Sequence, residues 1–266
     1  PVEFTSLGDI RAQFGPEGIT NPVPNRDGLF EMTDDTQMTL FTAEGMLRAG
    51  SRAHEKGIGP SFASCGFYAY RRWLVTQGDL AQEEVSCDGW LIAVPGLHQR
   101  RAPGGTCLSA LKLERRGSVA EPLNDRKGCG AVMRMAPVGL FLQSPYVCEF
   151  LNAQQRDDYA FRTGCELGAL THGHPSGYLP AGCLALLVAR IIERDSLNEA
   201  LDKTIASLVT YPGHDETLQA LQSARQLAAD PSVTPSAEAV TRLGAGWVGE
   251  EALAIAVYCA LVAADD

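Results

Sequence analysis

Three absences in the sequence narrow the classes of protein to which it can belong. Its eight cysteines are scattered without a C-x-x-C pair, which in a chain of this length indicates reduced, intracellular thiols rather than a disulfide framework. There is no uninterrupted apolar run of about 18 residues, so we expect no transmembrane helix. The chain begins with Pro1 and shows no basic-then-apolar leader, so we expect no signal peptide, although the natural start can lie upstream. Together these absences predict a cytoplasmic protein.

Positive charge is also scarce. The 266 residues include 22 lysines and arginines against 32 aspartates and glutamates, a formal net charge of −10. This balance argues against a nucleic acid or an anionic membrane surface as a partner. It leaves room for a small anionic ligand, because a local loop or a bound metal ion can hold one inside an acidic protein.

Strand signals are rare, whereas helix formers are abundant. No series of β-branched runs alternates with turn signals. Apolar residues at helical spacing begin at Thr33 and end at the Gly50 stop signal, and residues 1–32 are expected to be loop after a short first segment. Further helices are predicted over 61–76, 106–115, 149–170, 177–194, 196–209, 215–229 and 249–263. The sequence therefore predicts a single all-α domain.

An acidic motif, Thr33-Asp34-Asp35-Thr36, stands at the start of the first long helix. One interpretation is structural: Thr33 caps the helix, and the carboxylates interact favourably with the helix dipole. The other is a hard-cation site, because carboxylates flanked by hydroxyls are ligands that suit Mg²⁺ or Mn²⁺ rather than zinc. The D-D-x-x-D motif of terpenoid synthases does not fit, since Met38 takes the place of its last aspartate.

A glycine-rich segment, NDRKGCGAVMR at 124–134, precedes another helix. Gly128 and Gly130 permit a compact turn whose backbone N–H groups point in one direction just before a helix N-terminus. That arrangement is typical of an anion-binding nest. A simple glycine turn between two elements is the alternative.

Two histidines lie close together in THGHPSGYLP at 171–180. His172 and His174 could bind a transition metal, but no cysteine or third histidine lies at a useful spacing. We therefore favour a polar corner between helices that touches a ligand over a zinc site.

Two further motifs have simpler structural explanations. His214-Asp215 resembles the HD dipeptide of metal-dependent phosphohydrolases, but the other ligands of that pattern cannot be assigned, and capping of a helix by Asp215 explains it better. The stretch at 67–78 places aromatic residues at helical spacing, which favours core packing over nucleotide stacking.

The order of these motifs is more specific than any one of them, and the chain resembles the ADP-ribosylglycohydrolase family. This family, also called the ADP-ribosyl-acceptor hydrolases, includes the dinitrogenase reductase-activating glycohydrolases. The matching blocks are PVEF at 1–4, TDDTQM at 33–38, RRWLVTQG at 71–78, RAPGGTCLSAL at 101–111, NDRKGCGAVMRMAPVGL at 124–140, THGHPSGYLPAG at 171–182 and GAGWVGEEALAIAVYCAL at 244–261. The resemblance implies an all-α orthogonal bundle around a binuclear metal cleft.

The resemblance also implies a metal site and an activity. Thr33, Asp34 and Asp35 match metal ligands, and Glu3 matches the acidic residue at the entrance of the metal site. Two Mg²⁺ or Mn²⁺ ions would orient the ribose hydroxyls and a water, and Glu3, Asp34 or Asp35 would exchange protons during catalysis. The implied enzyme removes ADP-ribose from mono-ADP-ribosylated protein side chains or related conjugates by cleaving the glycosidic bond at the distal ribose.

Ligand-binding residues are implied in the same way. The glycine loop matches the segment whose backbone cradles the diphosphate of ADP-ribose, through Asp125, Arg126, Lys127, Gly128, Cys129 and Gly130. Thr171 and His172 match the corner that lines the ligand cleft. Arg126 and Gly105 depart from the family pattern, which often has Ser and Asn at these positions. Arg126 could still attract a diphosphate while altering how the loop closes over the acceptor.

A non-catalytic ADP-ribose binder, of an immunity or structural type, is the second interpretation. The presence of Glu3, Thr33, Asp34 and Asp35 favours the enzyme. The family pattern also includes a G-D-A-x-G helix before PVEF and a late G-D-[ST]-D-[ST] motif after the last predicted helix, and this sequence stops at Asp265-Asp266. We therefore expect residues 1–266 alone to bind metal weakly, at most at one site, and to hydrolyse ADP-ribosyl bonds slowly or not at all.

Overall fold

The computed structural model describes residues 2, 4–86 and 88–263. Within these ranges the chain forms twelve α-helices and no strand, which confirms the all-α prediction. The helices are α1 Leu7–Phe14, α2 Asp34–Lys56, α3 Phe62–Thr76, α4 Gly105–Leu111, α5 Ala136–Leu142, α6 Pro145–Cys148, α7 Ala153–Ala169, α8 Pro175–Ile192, α9 Leu197–Leu208, α10 Asp215–Ala229, α11 Ala237–Thr241 and α12 Gly249–Val262. An isolated bridge between Gly128 and Val248 is the β-type pairing found in the described residues. Six of the cysteines among them, at positions 65, 107, 148, 165, 183 and 259, form no disulfide.

The helix α2 is longer than predicted, because its internal glycine is a packing residue rather than a stop signal. A Cβ at Gly50 would lie 2.7 Å from Cζ of Phe141, so only glycine admits that ring. The helix ends instead at Gly57, whose φ of 62° and N–H bond to the carbonyl of Ala53 form a left-handed cap.

Polar caps explain two further differences from the predicted helix starts. One helix, α1, lies in the predicted N-terminal loop, and Ser6 caps it by accepting a hydrogen bond from the N–H of Asp9 at 3.1 Å. None of its residues is buried, so it lacks the apolar stripe on which helix prediction depends. The helix α7 begins only after a capping box formed by Asn152 and Gln155.

The helix α8 packs against α5, α7, α9, α10 and α12 and forms much of the core. Gly164 of α7 allows a close approach to α8, since a Cβ there would lie 2.6 Å from the carbonyl oxygen of Ala181. By length and composition α8 could also cross a membrane, contrary to the expectation that no such run exists. Of its residues, 72% are buried inside the fold, which is typical of a core helix.

The aromatic stretch in α3 packs into the core, as predicted. Tyr70 and Trp73 are fully buried, and the indole N–H of Trp73 donates to Oε1 of Gln37 in α2 at 3.1 Å. A buried ion pair between Arg72 and Glu44, 2.6 Å long, joins the same two helices. These contacts attach α2, which carries the acidic motif, firmly to the core.

Candidate functional site

The acidic motif forms the first turn of α2. Thr33 occupies the N-cap position but makes no side-chain capping bond; its hydroxyl instead donates to Oδ2 of Asp35 at 2.8 Å. Asp34 is buried, and its Oδ2 accepts a hydrogen bond from the N–H of Gly104 at 3.1 Å. Asp35 is exposed. One carboxylate therefore anchors α2 to the start of α4, while the other, held by Thr33, faces solvent.

The chemistry of this turn fits part of the coordination shell of a hard cation. It offers a hydroxyl and two carboxylates, which are oxygen donors of the type that Mg²⁺ and Mn²⁺ prefer. The residues described by the structure contain no cluster of three or more Asp, Glu, His or Cys side chains that could hold a metal. The number of cations bound at this turn stays a prediction. The expectations for Glu3, Asp265 and Asp266 lie outside the described residues.

Asn124 attaches one edge of the glycine loop to the corner before α8. Its Nδ2 donates to the carbonyl oxygen of Thr171 at 2.9 Å, and its Oδ1 accepts from the N–H groups of Gly173 at 3.2 Å and Arg126 at 3.0 Å. The side chains of Asp125 and Arg126 are exposed. Asn124 lies within the loop motif, but its role could not be predicted from the sequence, because its partner Thr171 lies 47 positions away.

The other edge of the loop pairs with the segment before α12. The N–H of Cys129 donates to the carbonyl oxygen of Trp247 at 3.1 Å, and the N–H of Gly249 donates to that of Lys127 at 2.8 Å. The Cys129 amide is therefore engaged within the protein, although the resemblance placed it in the diphosphate cradle.

Two amides of the loop remain as donors for a ligand. Within the described part of the chain, the N–H groups of Gly128 and Gly130 donate no hydrogen bond. Backbone amides of this kind in a glycine turn attract anionic oxygens. They support the anion-nest interpretation over a simple connecting turn.

The ammonium group of Lys127 is turned away from these amides and held by two glutamates. Its Nζ lies 2.6 Å from Oε1 of Glu250 in α12 and 2.8 Å from Oε2 of Glu216 in α10. The bonds to Glu216 and Glu250 raise the pKa of Lys127. The bond from Lys127, followed by one from Ser176, lowers the pKa of Glu216. Lys127 thus fixes the position of the loop, a role that sequence spacing could not reveal.

The two histidines of the corner diverge. His174 caps α8, its Nδ1 accepting from the N–H of Ser176 at 3.1 Å, so the pair does not form a metal site. Thr171 and His172 are 0% and 1% exposed and lie beneath the glycine loop. A Cβ built on Gly128 would be 3.3 Å from Nε2 of His172.

Beneath the loop lie two further polar side chains that the sequence did not single out. Arg134 is completely buried. The pKa of His172 is lowered to about 3, first by the burial of His172 itself and then by the positive charge of Arg134. The second side chain is Cys107 of α4, whose Sγ lies 3.8 Å from the carbonyl oxygen of Gly130 in the loop. Burial raises the pKa of Cys107, which keeps this thiol protonated.

The HD dipeptide takes no part in this arrangement. His214 is the N-cap residue of α10 and its Nδ1 lies 2.7 Å from the carbonyl oxygen of Tyr211. Asp215 is the first residue of the helix rather than its cap, and its side chain is 92% exposed. It stabilises the helix through its charge near the positive end of the dipole.

An acidic helix start, a glycine loop with two available amides and a buried neutral histidine thus meet within one helical fold. They belong to one all-α fold. The whole chain, residues 1–266, matches the family model of the ADP-ribosylglycohydrolases, and the protein belongs to that family. The family hydrolyses ADP-ribosylated substrates and is generally metal-dependent.

Proposed function

We propose that the protein removes ADP-ribose from mono-ADP-ribosylated protein side chains or related ADP-ribosyl conjugates. It would hydrolyse the glycosidic bond at C1 of the distal ribose and depend on Mg²⁺ or Mn²⁺. The observation that carries the proposal is the convergence of five sequence blocks. Backbone and side-chain bonds join 33–35 to 101–104, and join 124–130 both to 171–173 and to 247–250. The two groups are in contact through Cys107 of α4, whose Sγ lies 3.8 Å from the carbonyl oxygen of Gly130.

The glycine loop is the proposed diphosphate site. The amides of Gly128 and Gly130 would donate to phosphate oxygens, an arrangement in which glycine also allows the backbone to approach the ligand closely. Arg126 is exposed at the same loop and would add positive charge near an anionic substrate. Because the protein carries a net charge of −10, the amides and the Arg126 guanidinium would offset the repulsion between the protein and an anionic diphosphate.

The acidic turn of α2 is the proposed catalytic and metal-binding part. Thr33, Asp34 and Asp35 would hold a cation, which would supply stabilisation of negative charge on a water and on the ribose oxygens. Asp35, exposed and positioned by the hydroxyl of Thr33, is the described carboxylate best placed to accept a proton from the water. Glu3 stays a predicted partner in this step.

The experiment is an ADP-ribose release assay with arginine-linked, serine-linked and small-molecule ADP-ribosyl conjugates, with and without Mg²⁺ or Mn²⁺. Wild-type protein should release ADP-ribose in the presence of a cation from at least one conjugate. Asp35→Asn should reduce the rate by about 10²–10⁴-fold, the range for loss of a general base. Asp215→Asn is the matched control, because it changes another exposed aspartate in the first turn of a helix, and it should retain the full rate.

The outcomes separate the two interpretations of the family. Release that is metal-dependent and lost only in Asp35→Asn supports the hydrolase. No release from any conjugate at saturating metal, even by a chain that carries the late G-D-[ST]-D-[ST] motif, combined with calorimetric binding of ADP-ribose, would establish a non-catalytic binder instead. Loss of activity in Asp215→Asn alone would move the site to the HD dipeptide.

A further inference from the structure

Arg134 is a buried cation without an anionic partner in the described residues. Its side chain is 0% exposed, and no carboxylate oxygen of the described chain lies within 4.0 Å of it. The guanidinium packs over the ring of Tyr70, 4.2 Å from the centroid, and its Nη1 lies 3.5 Å from Sγ of Cys107. Burying an unpaired charge is costly, so a role beyond packing is expected for this side chain.

The strongest bond of Arg134 is to a hydroxyl next to His172. Its Nη2 donates to Oγ1 of Thr171 at 2.7 Å. That hydroxyl carries one hydrogen, and the nitrogen and oxygen acceptors within its reach are Nδ1 of His172 at 2.9 Å and the carbonyl oxygen of Gly168 at 3.4 Å. The sulfur of Cys107 also interacts with this hydroxyl, but it is a protonated thiol and therefore a weak acceptor. The carbonyl of Gly168 already accepts from the N–H groups of Thr171 at 3.1 Å and His172 at 3.0 Å.

The hydrogen of the Thr171 hydroxyl therefore goes to Nδ1 of His172. A carbonyl oxygen has two lone pairs, and those of Gly168 are both used, at shorter distances than the hydroxyl offers. The positive charge of Arg134 also polarises the hydroxyl and strengthens it as a donor. An imidazole that accepts at Nδ1 while neutral carries its proton on Nε2.

Nε2 of His172 faces the glycine loop. It lies 3.3 Å from a Cβ built on Gly128 and 3.5 Å from one built on Gly130. It forms no hydrogen bond with any residue that the structure describes. A proton on Nε2 would therefore point toward the backbone of the glycine loop at Gly128 and Gly130.

We propose that Arg134, acting through Thr171, fixes His172 in the neutral Nε2–H tautomer, so that His172 adds a third N–H donor to the anion site at the glycine loop. Arg134 is then a positioning residue that never touches the ligand. The use of this donor for ADP-ribose rests on the function proposed above, whereas the tautomer itself does not. The low pKa of His172 is consistent with a neutral ring throughout the physiological range.

The tautomer is tested by ¹⁵N NMR of the histidine rings in the ligand-free protein, with His172 assigned by its absence in His172→Gln. We expect protonated Nε2 and unprotonated Nδ1 in the wild type and in Thr171→Ser, which keeps the hydroxyl. Thr171→Val has nearly the same shape but no hydroxyl, so the preference for Nε2–H should be lost. A wild-type ring protonated at Nδ1, or a tautomer unchanged in Thr171→Val, would overturn the relay.

Calorimetric titration with ADP-ribose tests how the donor is used. Thr171→Val should weaken binding about tenfold, the effect of one misdirected hydrogen bond, and the loss in Thr171→Ser, which keeps the hydroxyl, should be clearly smaller. Arg134→Lys should retain part of the tautomer preference, since an ammonium can still donate to the hydroxyl. An Nε2–H tautomer in a protein that binds no ADP-ribose would uphold the relay and overturn the proposed ligand.

Discussion

The attachment of the glycine loop by Lys127 makes the sharpest quantitative prediction. Lys127→Met keeps the length of the side chain but removes the ammonium that lies 2.6 Å from Glu250 and 2.8 Å from Glu216. Hydrogen bonds to charged groups contribute about 1.5–3 kcal/mol, whereas exposed ion pairs contribute about 0–1 kcal/mol. Glu250 is only 9% exposed and Glu216 is 52% exposed, so the first pair carries most of the effect.

We expect Lys127→Met to lower the free energy of unfolding by about 2 kcal/mol at pH 7, measured by urea denaturation, a value reduced for the partial exposure of Lys127. In thermal unfolding this corresponds to a decrease in Tm of roughly 4–8 °C. A double-mutant cycle with Glu250→Gln should give a coupling energy of about 1 kcal/mol or more. ADP-ribose binding should weaken as well, because the loop loses its attachment to α10 and α12.

The pH dependence and a control complete this prediction. The pKa of Lys127 is raised, so its contribution is lost only as the pH rises through that value, above about 10. The pKa of Glu216 is lowered, so its share is lost as the pH falls below about 4. Lys203→Met removes a 47% exposed ammonium from Asp195, whose carboxylate stays paired with Arg190, so this change should cost less than about 1 kcal/mol. Equal losses in the two lysine variants would refute the reasoning.

Three further predictions concern the loop, the core and the buried histidine. Gly128→Val should weaken ADP-ribose binding, measured by calorimetry, far more than metal binding, because its Cβ would lie 3.3 Å from Nε2 of His172; an unchanged affinity would remove the loop from the site. Gly164→Ala should lower the free energy of unfolding, measured by urea denaturation, by about 1–3 kcal/mol, because its Cβ would lie 2.6 Å from the carbonyl oxygen of Ala181. The control, Gly59→Ala, places its Cβ in open space and should leave the stability nearly unchanged. Because the pKa of His172 falls to about 3, its ring should stay neutral in NMR titrations from pH 8 to about 4. Its stabilising contribution should then decline as the pH falls below about 6.5, so that His172→Gln is less acid-sensitive than the wild type.

The helices could be predicted from local pattern wherever apolar periodicity and caps agree. The prediction was wrong at Gly50, because a glycine that ends a helix and a glycine that admits a ring look identical in sequence. It also omitted α1, which has a good cap at Ser6 but no buried face. Both errors depend on tertiary packing: Gly50 contacts a distant ring, and α1 packs no buried face against the core. A short stretch of sequence does not contain that information.

The site was predictable in its parts but not in its connections. The acidic turn and the glycine loop are visible as motifs, because their chemistry resides in adjacent residues. Arg134 and Glu250 act through partners 37 and 123 positions away, so no local pattern reveals them. The ligand roles of Thr33, Asp34 and Asp35 remain predictions, and their closeness to the start of α4 became evident only in the fold.

The bond between Lys127 and Glu250 also has a consequence for how the protein is made. The two residues are 123 positions apart, and at about 5–20 residues per second a ribosome needs roughly 6–25 s to cover that distance. During this interval the nascent chain contains the loop but neither the strand-like segment before α12 nor the glutamate that holds the lysine. The attachment of the loop to the corner at 171–173 can form earlier, because that segment is synthesised first. The attachment to α12 can form only after that helix has left the exit tunnel.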